Sequence, residues 1–204
     1  MSPRNVEKDQ QMREKRLAHI LESAIEIMAV KGIGSVSIGD IAAAAGVSVG
    51  NVYHYFKSKD EIFAELLKRG QTGYGAFVTE VAGRELPAAD KLRAISEAWL
   101  ALGNSWAYTL LIHTARMSET STDQLRREVT GRFTANLGPV AEIVSQGQRE
   151  GSVVPGEPTE LALYFVSLIQ GLTLQRAPGV EVPVGIRAEG VVRLFLADGA
   201  ARDA

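Results

Sequence analysis

Residues 37–59 read SIGDIAAAAGVSVGNVYHYFKSK, and the spacing of their start and stop signals decides the fold. Ser37 opens a short helix with Asp40 three places on, a Ser-x-x-Asp form of the capping box. That helix runs from Ile38 to Ala45 and stops at Gly46, where the chain must turn sharply, a conformation glycine adopts at little cost. Ser48 caps a second short helix reaching about Tyr55. Ser58 with Glu61 caps a longer one that continues towards Gly83. Upstream, Leu17, Ile20, Leu21, Ala24, Ile25 and Met28 form the stripe of an amphipathic helix that stops at Lys31-Gly32. Two short helices joined by Ala44-Ala45-Gly46-Val47 behind a longer one make a helix-turn-helix pattern. Ile41 and Val47 are placed to pack the short helices on Leu21, Ala24 and Met28, and the alanines at 42–45 permit close approach. The plainer reading of the same signals is three unrelated short helices in an all-α core.

The rest of the chain is also helical in pattern. Apolar residues at 92, 95, 99, 102, 106, 110, 113 and 117 recur in steps of three and four, interrupted near Asn104-Ser105, with His113 as the one polar member. A helix from about Asp123 to Arg149 carries Leu125, Val129, Phe133, Leu137, Val140 and Val144 on one side. Pro158 suits the first turn of the next, whose core 161–174 is apolar on most of its circumference. A final helix is expected over about Gly185 to Ala197. Arg4 and Lys8 read as part of a disordered tail, with a minor-groove arm as the alternative. No stretch alternates with period two between turn signals, so the fold class is all-α. The domains expected are a helix-turn-helix domain at 12–60 and a larger helical domain at 61–204.

Bulk composition narrows the function. The chain has 204 residues and no cysteine, which excludes disulfides, thiolate catalysis and Cys-based metal sites. Its N-terminus lacks the apolar region of a secretory signal. The most apolar run, Leu161 to Ile169, falls far short of the roughly 18–20 residues that span a bilayer. A cytoplasmic protein without membrane contact is expected. The first 70 residues hold 10 Lys/Arg against 9 Asp/Glu and the remainder 12 against 15, so non-specific DNA affinity should be modest.

One competing motif must be weighed. Gly46-Val47-Ser48-Val49-Gly50 fits G-x-S-x-G, the nucleophile elbow of α/β-hydrolases. An elbow needs a strand before its serine, and here an alanine-rich helix precedes it. No parallel-strand pattern exists to build the sheet. No metalloprotease, P-loop or dinucleotide-binding signature occurs either. The chain is expected to be no enzyme, with no metal and no cofactor.

The residues Ala24, Gly32, Ser37, Asp40-Ile41-Ala42, Ala45-Gly46-Val47-Ser48, Gly50-Asn51-Val52-Tyr53, Phe56 and Lys59 closely resemble the N-terminal signature of the TetR (tetracycline-repressor) family. The resemblance covers about residues 16–62; beyond it the likeness is loose. It implies a recognition helix, Val49 to Tyr55, laid in the major groove of double-stranded DNA. By position, Val49, Asn51 and His54 would face bases, with Asn51 pairing bidentately with adenine and Val49 touching a thymine methyl. Ser37, at a helix N-terminus, would bond a phosphate. Tyr53 and Lys59 would hold phosphates, Gly50 would let the DNA backbone approach, and Ser48 caps the helix beside it. Tyr55 stands where many members have histidine, and its hydroxyl can still donate to phosphate. The plainer alternatives are core packing for Tyr53, a solvated charge for Lys59 and a surface histidine for His54.

The resemblance also implies a C-terminal domain for ligand binding and dimerisation. The stripe of Trp99, Trp106, His113 and Met117, with Asn104, Tyr108, Arg116 and the neighbouring Phe133, is expected to line an effector pocket; core packing is the alternative. Leu161, Tyr164, Phe165, Leu168, Gly171, Leu172, Val192 and Phe195 are expected at a homodimer interface, Gly171 allowing close crossing. A core internal to one chain is the alternative there. The function expected is a homodimeric repressor on a palindromic operator, released by a small-molecule effector. Alternatives are a same-fold regulator without an inducer, and a helical enzyme or carrier.

Overall fold

The computed structural model describes residues 3–119 and 121–197. They form nine α-helices: α1 (Pro3–Lys31), α2 (Ile38–Ala44), α3 (Val49–Tyr55), α4 (Lys59–Ala82), α5 (Ala88–Ala101), α6 (Ser105–Met117), α7 (Asp123–Glu150), α8 (Pro158–Leu174) and α9 (Ala188–Val192). A 3-10 turn, Arg193–Phe195, follows α9. Among the described residues the sole extended pairing is an isolated antiparallel bridge between Val153 and Leu196. The chain divides into two compact units, Met1–Lys68 and Arg69–Ala204, so the division falls inside α4.

In the first unit α1 packs on α2 and α2 on α3. Ile20, Ala24, Ile25 and Met28 of α1 are buried, as are Ile41 and Ala42 of α2, Val52 of α3 and the following Phe56. The turn between the short helices is a Schellman motif. Val47 N–H donates to Ala42 C=O at 3.0 Å and Gly46 N–H to Ala43 C=O at 3.2 Å. Gly46 carries the left-handed φ of 62° that this motif requires. The helix-turn-helix pattern therefore folds as its punctuation dictates. One expectation fails at the start: α1 begins at Pro3, so Arg4 and Lys8 belong to a helix and not to a tail.

In the second unit α7 packs on α8, α5 on α7 and α9, and α6 on α7 and α8. Phe165, fully buried, meets Phe195 edge to face at 5.3 Å. Lys91 is buried but satisfied: its ammonium donates to Ala82 C=O and to Gln146 Oε1, both at 2.7 Å. It thereby caps the last residue of α4, where the helix dipole favours a cation. The expected break near Asn104 is real and separates α5 from α6. The expected final helix is shorter than 185–197. Val154 N–H donates to Phe195 C=O and Ala197 N–H to Ser152 C=O, each at 3.0 Å, drawing residues 195–197 out of helical geometry.

Two glycines give opposite expectations. Gly73 is exposed inside α4 and an added Cβ meets nothing within 4 Å. Gly73→Ala should stabilise the protein by about 0.5–1 kcal/mol. At Gly147 an added Cβ would lie 2.2 Å from Val153 Cγ2 and 2.9 Å from Ala88 Cβ. Gly147→Ala should cost about 1–3 kcal/mol. Urea unfolding of both variants checks this, and shifts of the same sign would contradict it.

Candidate nucleic-acid interface and effector cavity

A seven-residue helix is too short to persist alone in water, so α3 exists because of its caps and its buried side. Asn51 N–H donates to Ser48 Oγ at 3.2 Å, and Val52 is fully buried. The opposite side faces solvent: Val49 is 44% and Tyr53 56% exposed, and Gly50 and His54 are exposed as well. These four fall at 49/53 and 50/54, the i,i+4 spacing that makes one helix face. Around Gly50 an added Cβ would meet nothing, so another backbone can come close.

The remaining expected DNA contacts are placed differently. Ser37 is exposed, but its hydroxyl is committed: it donates to Asp40 Oδ2 at 2.6 Å and accepts from Asp40 N–H at 3.1 Å. Ser37 N–H also donates to Asp40 Oδ2, at 2.9 Å, which completes the capping box. Two of the three N–H donors of Lys59 bond Gly34 C=O at 2.9 Å and Val36 C=O at 3.1 Å. Lys59 thus ties the start of α4 to the loop before α2. Asn51 is half-buried with its Oδ1 buried and unpartnered, so the bidentate pairing with adenine does not fit this rotamer. Tyr55 is half-buried, with His54 edge-on at 5.2 Å and the Arg13 guanidinium 5.9 Å over its ring. Sequence reasoning missed His19, whose Nε2 lies 2.9 Å from Ala45 C=O and links α1 to the turn.

Lys31 Nζ donates to Asp40 Oδ1 at 2.8 Å, and this bond, with those from Ser37, holds the Asp40 carboxyl well below the usual carboxylate range. A depressed folded pKa contributes stability that is complete above the ordinary aspartate value of about 3.9 and declines as the pH falls below it.

The second unit encloses a cavity of about 30 Å³, room for one or two waters. Gly70, Gln71 and Tyr74 of α4 line it, with Trp99 of α5, Tyr108 and Ile112 of α6, Phe133, Asn136 and Leu137 of α7, and Val166, Ile169 and Gln170 of α8. A groove of about 400 Å³ adjoins it and shares Gly70, Tyr74, Trp99 and Tyr108. α4 can lie against its neighbours because it is locally bare. A Cβ on Gly70 would sit 2.4 Å from the Tyr108 ring, and one on Gly75 2.3 Å from Asn136 Oδ1. Gln71 is buried and locked: its Nε2 donates to Val129 C=O, its Oε1 accepts from Arg132 Nε and its C=O accepts from Asn136 Nδ2, all at 2.9 Å. Burial pushes the Tyr74 phenol well above its ordinary pKa, so it stays protonated at neutral pH. Among the described residues no cluster of three His, Asp or Glu could hold a metal, and no helix is long and apolar enough to cross a membrane.

Of the residues expected in a pocket, Trp99, Tyr108 and Phe133 line the cavity. Arg116 backs it, its guanidinium 4.8 Å over the Phe133 ring. Trp106 is buried in the core away from it, Asn104 stands at the N-cap of α6, His113 is exposed and Met117 is 80% exposed; none of the four lines it. Gln71, Tyr74, Asn136 and Gln170 were missed. Gln71 was readable, as the one polar residue in the stripe 67, 71, 74, 78, 81 of α4. On α8, Phe165 faces inward, and Val192 and Phe195 are likewise buried in this chain's own core, so these three are closed to a second copy. Tyr164 and Gly171 are exposed, and Leu161, Leu168 and Leu172 half-buried.

Residues 20–66 match the family model described as bacterial regulatory proteins, tetR family. The HTH-type transcriptional regulator AcrR of Shigella flexneri is 30% identical over 145 residues, 70% of this chain and 60% of that protein. The match thus spans less than two thirds of that relative's length. Among solved structures, the MbdR regulator from Azoarcus sp. CIB shares the fold with a TM-score of 0.69 at 23% identity, covering 88% of this chain and 94% of that one. AibR, solved in complex with isovaleryl coenzyme A and operator DNA, is similar with a TM-score of 0.63 at 21% identity, covering 87% and 94%.

Ser37→Ala removes the cap of α2 and should cost about 1 kcal/mol of stability. Asp40→Asn should weaken the protein most at neutral pH, with the gap to wild type narrowing below about pH 4. Denaturation at a series of pH values checks both. A gap for Asp40→Asn that widens in acid would contradict the assignment.

Proposed function

We propose that this TetR-family chain is a homodimeric, sequence-specific DNA-binding repressor of the cytoplasm, no enzyme, whose hold on its operator is relieved by a small-molecule effector. The observation that carries it is the solvent face of α3, where Val49, Gly50, Tyr53 and His54 stand clear of the core within a domain that matches the family model. Val49 and His54 reach base edges, while Tyr53 donates to phosphate and carries no sequence information. Ser37 acts mainly by shaping the domain, since its hydroxyl donor is already used. Lys59 spends two of its three N–H donors on the loop before α2 and keeps the third for a phosphate.

Dimerisation brings two such helices to half-sites about 34–36 Å apart on one face of the duplex. The interface proposed is the outward side of α8 with Leu194. Tyr164, Leu168, Gly171 and Leu172 lie at helical spacing there, and Leu168 and Leu172 share a groove with Leu194, which is 67% exposed. The cavity and groove of the second unit are the effector site. A ligand that prefers the form unable to engage both half-sites withdraws the protein from DNA, and by linkage operator DNA lowers the ligand's affinity equally. That AibR was solved with an acyl-coenzyme A and operator DNA supports pairing the two activities on this fold.

Selection of binding sites from random double-stranded DNA tests the reading. A two-fold symmetric site should emerge. Tyr53→Phe should weaken binding by a similar factor at every sequence, and His54→Ala should relax preference at one position in each half-site. No enriched site even at low salt would overturn the proposal. Leu168→Lys should convert a dimer into a monomer of 22.0 kDa in sedimentation equilibrium. A variant that remains dimeric would move the interface elsewhere.

A further inference from the structure

The chemical character of the effector can be read from what the cavity leaves unsatisfied, granted that the cavity and groove are the effector site. The rings of Tyr74, Trp99 and Tyr108 line both spaces and form the partition between them. The groove falls within the size range of small-molecule sites, whereas the cavity does not. Its walls include Phe77, Ile95 and Leu102, which suit an apolar body.

The polar capacity is one-sided. Trp99 Nε1 is buried and donates to nothing, a costly state for an N–H group. Gln71 offers nothing to a ligand, because both ends of its amide are bonded within the protein. No carboxylate lines either space, and Arg69 is the one charged side chain among the lining residues of both. Behind Gln71 and outside the lining, Arg132 is paired with Glu128 at 3.7 Å and has Nη2 buried without a partner. The lining therefore offers the unpartnered Trp99 N–H as a donor and no carboxylate. A cation would meet aromatic faces but no carboxylate among the lining residues to balance its charge.

We propose that the effector is an apolar molecule bearing a carbonyl or carboxylate oxygen, its body in the groove and its oxygen accepting from Trp99 Nε1, and that cations of the same shape are rejected. Entry requires the ring partition to turn, which joins cavity and groove. Trp99 is the residue that sets acceptor specificity, and its ring, edge-on to Tyr74 at 4.8 Å, is held ready by that contact.

Calorimetric titration of the full chain tests this with matched probes: phenylacetate, phenylacetamide, 2-phenylethylammonium and ethylbenzene, and the acid, amide and ammonium heads on an octyl chain. The acids and amides should bind at least tenfold more tightly than the ammonium probes. Trp99→Phe keeps the ring contact and should weaken acids and amides about tenfold while leaving ethylbenzene unchanged. Ammonium probes binding as tightly as acids, no binding by any probe, or equal affinities in Trp99→Phe would each overturn the proposal. Operator affinity measured alongside separates the two readings. Acids that bind through Trp99 yet leave DNA affinity unchanged sink effector relief and leave this inference standing. Ammonium probes that bind and release DNA do the reverse.

Discussion

The burial of one side of α3 is the constraint on which the rest depends. Seven residues cannot hold a helix by hydrogen bonding alone, because nucleation is unfavourable and four N–H groups remain unpaired at the start. Ser48 answers part of that deficit, and the burial of Val52, worth about 1.5–3 kcal/mol, answers more. Phe56 then ends the helix in extended backbone and is buried itself. What stays outside is dictated by what goes in. With Val52 inward, 50 and 54 fall on the far side of the helix, 49 and 53 flank them in solvent, and Val49, Tyr53 and His54 carry side chains suited to base edges and phosphates. The Schellman turn at Gly46, the Ser37–Asp40 box and the Lys59 bonds to Gly34 and Val36 all hold this small frame in one shape.

The second unit solves a different problem, how to keep space inside a packed bundle. Protein interiors close up unless something holds them open. Gln71 and Arg132 do so from the middle of the bundle, since their bonds to Val129 and to each other fix α4 against α7 through polar atoms that cannot be squeezed out. The bare surface at Gly70 and Gly75 lets Tyr108 and Asn136 approach α4 directly. Trp99, one of the cavity's lining residues, keeps a buried N–H with no partner.

Local punctuation was legible in the sequence, and long-range pairing was not. Ser37, Gly46, Ser48 and the break near Asn104 act within a turn of the chain, so their residue types suffice to place them. The bond of Lys59 to a loop 25 residues away and the burial of Asn51 Oδ1 leave no mark in the local pattern, so the reading of both as DNA contacts came from the resemblance alone. Trp99 and Trp106 share one stripe of threes and fours, yet only Trp99 reaches the cavity. The non-helical link between α5 and α6 resets the helical phase, which a periodicity count carries straight through. The apolar circumference of α8 was assigned to a partner, whereas Phe165 fills the chain's own core and Tyr164, next to it, is left outside. Apolar character marks burial without naming what does the burying.

The most direct test of the central claim is an amide chemical-shift titration of the labelled protein with its selected DNA duplex. The largest perturbations are expected at Val49, Gly50, Tyr53 and His54, with Val52 responding less because it faces the core. Perturbations that leave α3 unchanged and concentrate on another surface would show that this face does not read DNA, and the regulator assignment would fall with it.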